Sequence, residues 1–588
     1  MDHLEVIVVA LVLVFLIISL YREIFQPAIT FLIAIITLAV FGILTGEEVL
    51  NGFANPQIAS ILLLLVFGNL LGKASILNVF FSKAFENTKT YNGFLSRLLP
   101  SVAGISAFIN NTPVVALLIP YVYKWAQKNN VSISKLLIPL SFAAILGGTI
   151  TLVGTSTNML VNAFAIKNSD VAFSIFDFAW VGLPITLIGL IYVVVFGRKL
   201  LPERQTFSDK FQSSSREYLV EVSVPNNSSY VGKTIAESNL RQLNGLFVVE
   251  IIRQNEIITP IRPDNILLAN DTLILAGNVA AITELMELNS DLALPKFSYL
   301  EGEPHFDVNE LVVSAGSFLS NKTVKEADFR SRYNAALVAI NRNGERLTGK
   351  LGDKQLKTGD ALLVLAGSDF YSRGQRDFYT ISKVKEVRPL DVKRSLLIFF
   401  GLLASVLLSA LNILPLFKGL LVLLLLAFIF RILNLRQLRQ LVDYNLLVIA
   451  ALALALGQAI DSVGISEFAA TQVINVTQPF GAVGALIGIY IIAFCFTELM
   501  TNIAAASLAL PFALAIANKL GVSPEPFFLA VAYAASASFV TPLGYQTNLM
   551  VYGPGGYKFK DFFRMGFPLS ILYFTLTIGI LYWMYFRA

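Results

Sequence analysis

The chain carries Asn110-Asn111-Thr112-Pro113 and then Gly154-Thr155-Ser156-Thr157-Asn158, and it repeats the pair as Thr501-Asn502-Ile503 and Gly544-Tyr545-Gln546-Thr547-Asn548. Asn111 and Asn158 are 47 residues apart, Asn502 and Asn548 are 46 apart, and a proline follows the first Asn by nine residues in both copies, Pro120 and Pro511. Each motif sits inside a strongly apolar segment. Small polar residues and helix breakers at matched places in two halves mark a duplicated membrane protein whose binding site is built from interrupted helices.

Composition supports a polytopic, all-α membrane protein. The 588 residues are 55% hydrophobic and only 14% charged, where soluble domains carry about 25% charged residues. Apolar segments fall near 3–21, 27–45, 56–73, 92–120, 134–166 and 176–197, and again near 394–412, 415–432, 441–460, 480–515, 525–552 and 567–586. Runs of about 20 residues cross a hydrocarbon core of about 30 Å as helices. The first run has no basic flank before it and no small-residue cleavage site, so it reads as a transmembrane helix and not as a signal peptide. A net charge of +5 gives no case for nucleic-acid binding. One cysteine, Cys495, excludes an internal disulfide framework, and two histidines, His3 and His305, exclude a histidine metal cluster. No catalytic triad or paired carboxylates stand out, so an enzyme is not expected.

Segment 92–120 is too long for one span and too short for two, with Asn110 to Pro113 at its centre. A re-entrant helical hairpin fits, because irregular backbone at membrane depth must be covered by protein or line a cavity. Segment 134–166 is broken by Gly147-Gly148 and by Gly154 to Asn158, which predicts a discontinuous helix. Each half then crosses five times besides its hairpin. An odd number of crossings turns the second half upside down, giving two inverted repeats. Positive charge orients them: Arg22, Lys73, Lys83, Lys124, Arg198, Arg204, Arg394, Arg431, Lys558 and Arg564 share one side, the cytoplasm, with Lys167, Lys418 and Lys519 as exceptions.

Between the halves lies a polar insert that is itself double. Gly232-Lys233-Thr234-Ile235-Ala236-Glu237 up to Arg241 matches Asn321-Lys322-Thr323-Val324-Lys325-Glu326 up to Arg330 at an offset of 89, and Arg253/Arg342 and Asp271/Asp360 keep that offset. Alternating runs at 247–252 and 361–365 read as strands, each set preceded by a helix-start pattern. Two α+β modules are expected, about 216–289 and 305–386. The domain division is 1–200 first membrane repeat, 201–297 and 298–390 the two modules, and 391–588 second membrane repeat. Gly232-Lys233-Thr234 is no phosphate loop, because Asn227 stands where its first glycine is required.

These motifs resemble the divalent anion:sodium symporter family of the ion transporter superfamily. The two Asn motifs match its Ser-Asn-Thr signatures, and the runs at 147–158 and 536–548 match its helix breaks. Asn110, Thr501 and Ile503 depart from the signature. The insert resembles tandem RCK C-terminal (TrkA-C-type) modules. The resemblance implies a sodium-coupled symporter of a divalent oxyanion, sulfate first, working by an elevator motion as a homodimer in the plasma membrane. Sensing of sulfur status, dicarboxylate transport, and arsenite-type or sodium–proton exchange are the alternatives.

The residues suit that chemistry. No lysine or arginine lies within the four motifs, so an anion must be met by helix N-termini, each offering about half a positive charge, and by Asn111, Thr112, Thr157, Asn158, Asn502, Thr547 and Asn548. Oxygens of Asn110, Asn111, Gly154 and Thr155, and of Thr501, Asn502, Thr541 and Gly544, are the expected ligands of Na⁺. Glu498, opposite Ala107 in the first half, is the one acid near a hairpin tip, and it reads as either a proton site or a hydrogen-bonded brace.

Overall fold

The computed structural model describes residues 3–22, 24–72, 88–204, most of 219–277 and 308–380, and 392–587 apart from isolated positions. Lys73, Lys83, Arg241, His305 and the boundaries at 297–298 and 390–391 lie outside the described residues.

Apolar runs with capped ends form the helices. Pro27 opens Pro27–Val40 in the first turn, where its missing N–H is harmless. Thr45 and Glu48 bracket the start of Gly46–Asn51 in a capping box. Seven helices among the described residues are long and apolar enough to span a membrane, and four further apolar helices are shorter. In His3–Tyr21, Val9 and Leu16 are fully buried while Leu11 is 63% exposed and Ile18 48% exposed. An apolar residue exposed on such a helix faces lipid. The chain is a multi-pass membrane protein.

Both long motif segments are broken. The first is Tyr91–Ser106 followed by Asn111–Lys128. The second is Gly481–Leu499 followed by Asn502–Leu520. The other pair breaks deeper. Leu137–Gly148 and Ser156–Asn168 are separated by seven residues, and Glu525–Ser536 and Gln546–Tyr552 by nine. Every residue of Leu137–Gly148 is buried, as are Pro526 to Ser536, so these half-helices form the centre of the membrane body. A helix absent from the sequence reading, Ile465–Thr477, follows Tyr444–Ser462. Gly464, with φ of 74°, makes the turn between them. Only Ser466 and Ala470 are buried on it, so it lies on the surface of the body.

Two exceptions to the charge pattern are locally partnered. Lys167 donates to Gln458, which donates to Glu48, and Lys519 donates to Thr471.

The insert contains two antiparallel sheets. Strands β1 (Leu219–Ser223), β2 (Leu246–Arg253), β3 (Glu256–Ile258) and β4 (Thr272–Gly277) lie in the order β1-β4-β2-β3. Strands β5 (Val308–Val313), β6 (Ala335–Arg342), β7 (Glu345–Arg346), β8 (Ala361–Ala366) and β9 (Phe378–Thr380) lie in the order β7-β6-β8-β5-β9. The 89-residue offset extends to fine detail. Both sheets carry a bulge, at Val248/Glu250 and at Leu337/Ala339. Arg253 grips Asp271 at 2.8 Å and Arg342 grips Asp360 at 2.7 Å, each guanidinium making two bonds to the carboxylate. The expected helix starts are turns instead. Glu237 and Glu326 accept from the backbone N–H of Thr234 and Thr323, but residues 231–238 turn without forming a helix, and Asp328, at φ of 43°, ends the second copy before the short helix Phe329–Tyr333.

Among the described residues, the insert meets the membrane body on either side of one loop, and Val312 and Tyr379 join its core. Arg204 pairs with Asp561 at 2.8 Å, and the Gly359–Ala361 turn lies against Leu549 and Gly553.

Glu250 sits on β2 at 4% exposure and its Oε2 makes no hydrogen bond. Burial pushes its carboxyl up to about 7. The folded state then holds a proton that the unfolded chain has lost, so stability falls as pH rises from about 4.5 to about 7. Glu250→Gln is expected to stabilise the first sheet by roughly 2–3 kcal/mol at pH 8 and to change nothing below pH 4. Hydrogen exchange of the β2 and β4 amides in the whole protein reads this out, and equal protection of both variants at pH 8 would contradict it.

Candidate functional site

The four motifs meet at the centre of the membrane body, and the two halves are wired alike. Thr151 and Thr541 each use a side-chain oxygen to accept the N–H of the motif glycine, from Gly154 at 3.2 Å and from Gly544 at 3.3 Å. Asn158 donates its amide to the Thr151 carbonyl at 3.0 Å, and Asn548 donates to the Thr541 carbonyl at 3.4 Å and to Ser538 at 2.7 Å. These bonds satisfy carbonyls freed by the helix break. Asn158 and Asn548 thus brace the breaks, with their amide nitrogens spent on backbone. Thr547 and Asn548 accept from Ser141 at 2.9 and 2.7 Å, tying the second broken helix to the first. Thr157 is buried.

Oxygens gather most densely in the first half. Where a Cβ on Gly154 would stand, the carbonyls of Gly148, Ser106 and Ala107 lie 2.5, 2.9 and 3.0 Å away. Asn111 is 1% exposed, and its Oδ1 packs against Gly148 with no hydrogen-bond partner. A buried acceptor without a donor is costly unless a ligand satisfies it. Unwound carbonyls plus one orphaned amide oxygen suit a cation that prefers oxygen, such as Na⁺. Asn110 contributes differently: its Oδ1 accepts from Thr112 N–H at 3.3 Å and caps the Asn111–Lys128 helix. Thr155 is buried at the start of Ser156–Asn168.

The second half differs beside its own Asn. Ser538 stands where the first half has Gly148. Its hydroxyl donates to Asn502 Oδ1 at 3.0 Å, and Thr497 donates to the same oxygen at 2.9 Å. Asn502 Oδ1 is therefore satisfied within the protein. Where a Cβ on Gly544 would stand, the Thr497 carbonyl and Ser538 Oγ lie 2.8 and 3.0 Å away. Thr501 is exposed at the hairpin tip and caps nothing with its side chain. Glu498 accepts from the N–H of Val540 at 3.2 Å and of Thr541 at 3.0 Å. It closes the broken segment as a brace, and Ala107 leaves no counterpart.

Two further contacts join the halves at the motif tips. Asn111 Nδ2 donates to the Tyr545 hydroxyl at 2.6 Å, and Thr112 Oγ1 donates to Gln546 Oε1 at 3.1 Å. Gln546 is exposed and Thr112 half-buried, so this junction is reached by solvent. Tyr545 and Gln546 were absent from the residues expected to bind substrate. Their signal was the mismatch itself: Thr155 and Ser156 occupy these places in the first half.

A second missed feature is the repeated Gly182-Leu183-Pro184 and Gly566-Phe567-Pro568. Gly182 lies against the backbone of Thr149 and Ile150, and Gly566 against that of Phe539 and Val540. The last helix of each half thereby presses its glycine onto the break of the neighbouring broken helix.

A family profile described as "Citrate transporter" matches residues 11–517 and 505–588. A Chlamydomonas reinhardtii protein whose name provisionally marks it as a sulfur deprivation response regulator is 34% identical, over 92% of this chain and 95% of that one. An uncharacterized transporter of Synechocystis is 31% identical, over 97% of this chain and 95% of that one. Sodium/sulfate cotransporter 1 of Chlamydomonas reinhardtii is 30% identical, over 60% of this chain and 42% of that one.

Proposed function

The chain belongs to the citrate transporter family, a family of membrane transporters, and we propose that it is a sodium-coupled symporter of a small divalent oxyanion, with sulfate as first substrate. The observation that carries this is the orphaned Asn111 Oδ1 beside converging backbone carbonyls, next to the Asn111 and Thr112 donors at a helix N-terminus. Bound Na⁺ offsets the charge of an anion that no lysine or arginine meets. The similarity to a sodium/sulfate cotransporter supports both ions.

In this reading the halves are inverted repeats, the hairpins and broken helices form a moving unit, and the rest is a scaffold shared in a homodimer. The insert is a pair of RCK C-terminal-like regulatory modules on the cytoplasmic side of the plasma membrane. Uptake of labelled sulfate into proteoliposomes, with and without an inward sodium gradient, tests it. Uptake that ignores sodium removes the coupling. A second reading is favoured by the 34% identity to the sulfur deprivation response regulator: a sensor of the same fold that binds sulfate and accumulates none. Binding without uptake selects it.

The half-sites are unequal, since Thr112 has only Ile503 opposite it. Thr112→Ala is expected to lower uptake about tenfold, one hydrogen bond to a charged ligand, and Ile503→Ala to leave it within about twofold, as for the loss of apolar contact alone. Equal losses would contradict the asymmetry.

A further inference from the structure

We propose that Tyr545 and Gln546 set the selectivity of the site, admitting a compact tetrahedral oxyanion and excluding extended dicarboxylates. The inference rests on the anion-site reading above and adds the residues that choose among anions. Within the twinned motif, Gly154-Thr155-Ser156-Thr157-Asn158 and Gly544-Tyr545-Gln546-Thr547-Asn548 differ at their second and third positions. The second half places its two largest side chains where the first has its small hydroxyls.

Geometry gives the substitution a consequence. Tyr545 reaches across to its own counterpart, its hydroxyl 3.5 Å from Thr155 Oγ1 and 2.6 Å from Asn111 Nδ2. Gln546 receives the Thr112 hydroxyl at 3.1 Å. The Asn111 and Thr112 donors are thus engaged by the second half. An entering anion must take those hydrogen bonds over, and the freed Tyr545 hydroxyl and Gln546 amide then become donors to it. A tetrahedral oxyanion has oxygens on every side and can accept from all four groups at once. A four-carbon dicarboxylate carries its carboxylates on opposite ends of two methylenes. It needs two separated donor sets with open space between them, and the Tyr545 ring occupies the junction between the halves. A site built around hydrogen bonds rejects ligands that cannot complete them.

The test uses purified full-length protein at fixed sodium concentration, with thermal unfolding followed in sulfate or succinate. Wild type is expected to gain thermal stability from sulfate and none from succinate. Tyr545→Phe keeps the ring and removes the hydroxyl. It should weaken the sulfate effect by about 10- to 100-fold in concentration, the loss of one hydrogen bond to a charged group, with succinate still excluded. Tyr545→Ala should admit succinate and weaken sulfate further. An unchanged sulfate-to-succinate preference in both variants, or a wild type that distinguishes neither anion, overturns the proposal. The readout needs no transport. Selective binding with no uptake in proteoliposomes would remove the symporter reading and leave the selectivity assignment standing.

Discussion

Asn111→Ala is expected to reduce sodium-dependent uptake by roughly a hundredfold or more while leaving the thermal unfolding midpoint nearly unchanged. The side chain has two separate duties in the proposed mechanism. Its Oδ1 is buried without a hydrogen bond and packs against Gly148, whose carbonyl converges with those of Ser106 and Ala107 beside Gly154, and the proposal makes it a cation ligand. Its Nδ2 is a donor poised for the anion, held by Tyr545 at 2.6 Å. Losing one contact to each ion removes on the order of 3–5 kcal/mol of binding. Stability changes little, because Oδ1 has no protein partner and the Tyr545 hydroxyl, on losing Nδ2, still has Thr155 Oγ1 at 3.5 Å. Asn502→Ala makes the contrast. Its Oδ1 accepts from Thr497 and Ser538, so its removal takes two hydrogen bonds out of a buried network and costs about 1–3 kcal/mol, although Thr497 keeps the Ala535 carbonyl and Ser538 keeps Thr497. Expected results are therefore an activity defect at Asn111 and a stability defect at Asn502. Two equal midpoint drops would show Asn111 to be structural and would remove the observation on which the sodium site rests.

Gly566→Ala is expected to destabilise the membrane body by about 3 kcal/mol, the upper part of the range for overpacking. A methyl group there would fall inside the Phe539 carbonyl. Backbone meets backbone at this crossing, so no rotamer can move aside. Gly182→Ala should behave similarly, because its methyl would strike the Thr149 carbonyl. The control lies on the same helix as Gly566. A methyl on Gly579 would meet nothing within 4 Å, and Gly579→Ala should stabilise by about 0.5–1 kcal/mol through helix propensity alone. Unfolding midpoints in detergent measure all three. A Gly566→Ala protein as stable as Gly579→Ala would mean that the last helix does not clamp the break.

Much of this was legible in the chain. Matched Asn and Gly motifs located all four helix breaks to within a few residues, since breakers inside an apolar run leave few alternatives. The 89-residue offset in the insert extended to its bulges and its Arg–Asp pairs. Ile465–Thr477 was missed because its polar residues, with Asp461 and Glu467 near its start, resemble a loop. The helix starts at Thr234 and Thr323 were over-read: a threonine–glutamate bracket satisfies N–H groups in a turn as well as in a helix.

The site divides along the same line. Sequence alone determined that four small polar motifs sit in an apolar body and that no lysine or arginine lies within them, because residue type and spacing carry that information. It also exposed the inequality of Thr112 and Ile503. Which atoms are free was decided only by the tertiary structure. Asn111 and Asn502 are the same residue in the same motif, yet Gly148 leaves one oxygen orphaned and Ser538 satisfies the other. Asn158 and Asn548 hold backbone, and Tyr545 crosses to the opposite half. A side chain has a few hydrogen-bonding places, and their occupants come from segments up to 434 residues distant, a distance over which no local pattern reaches.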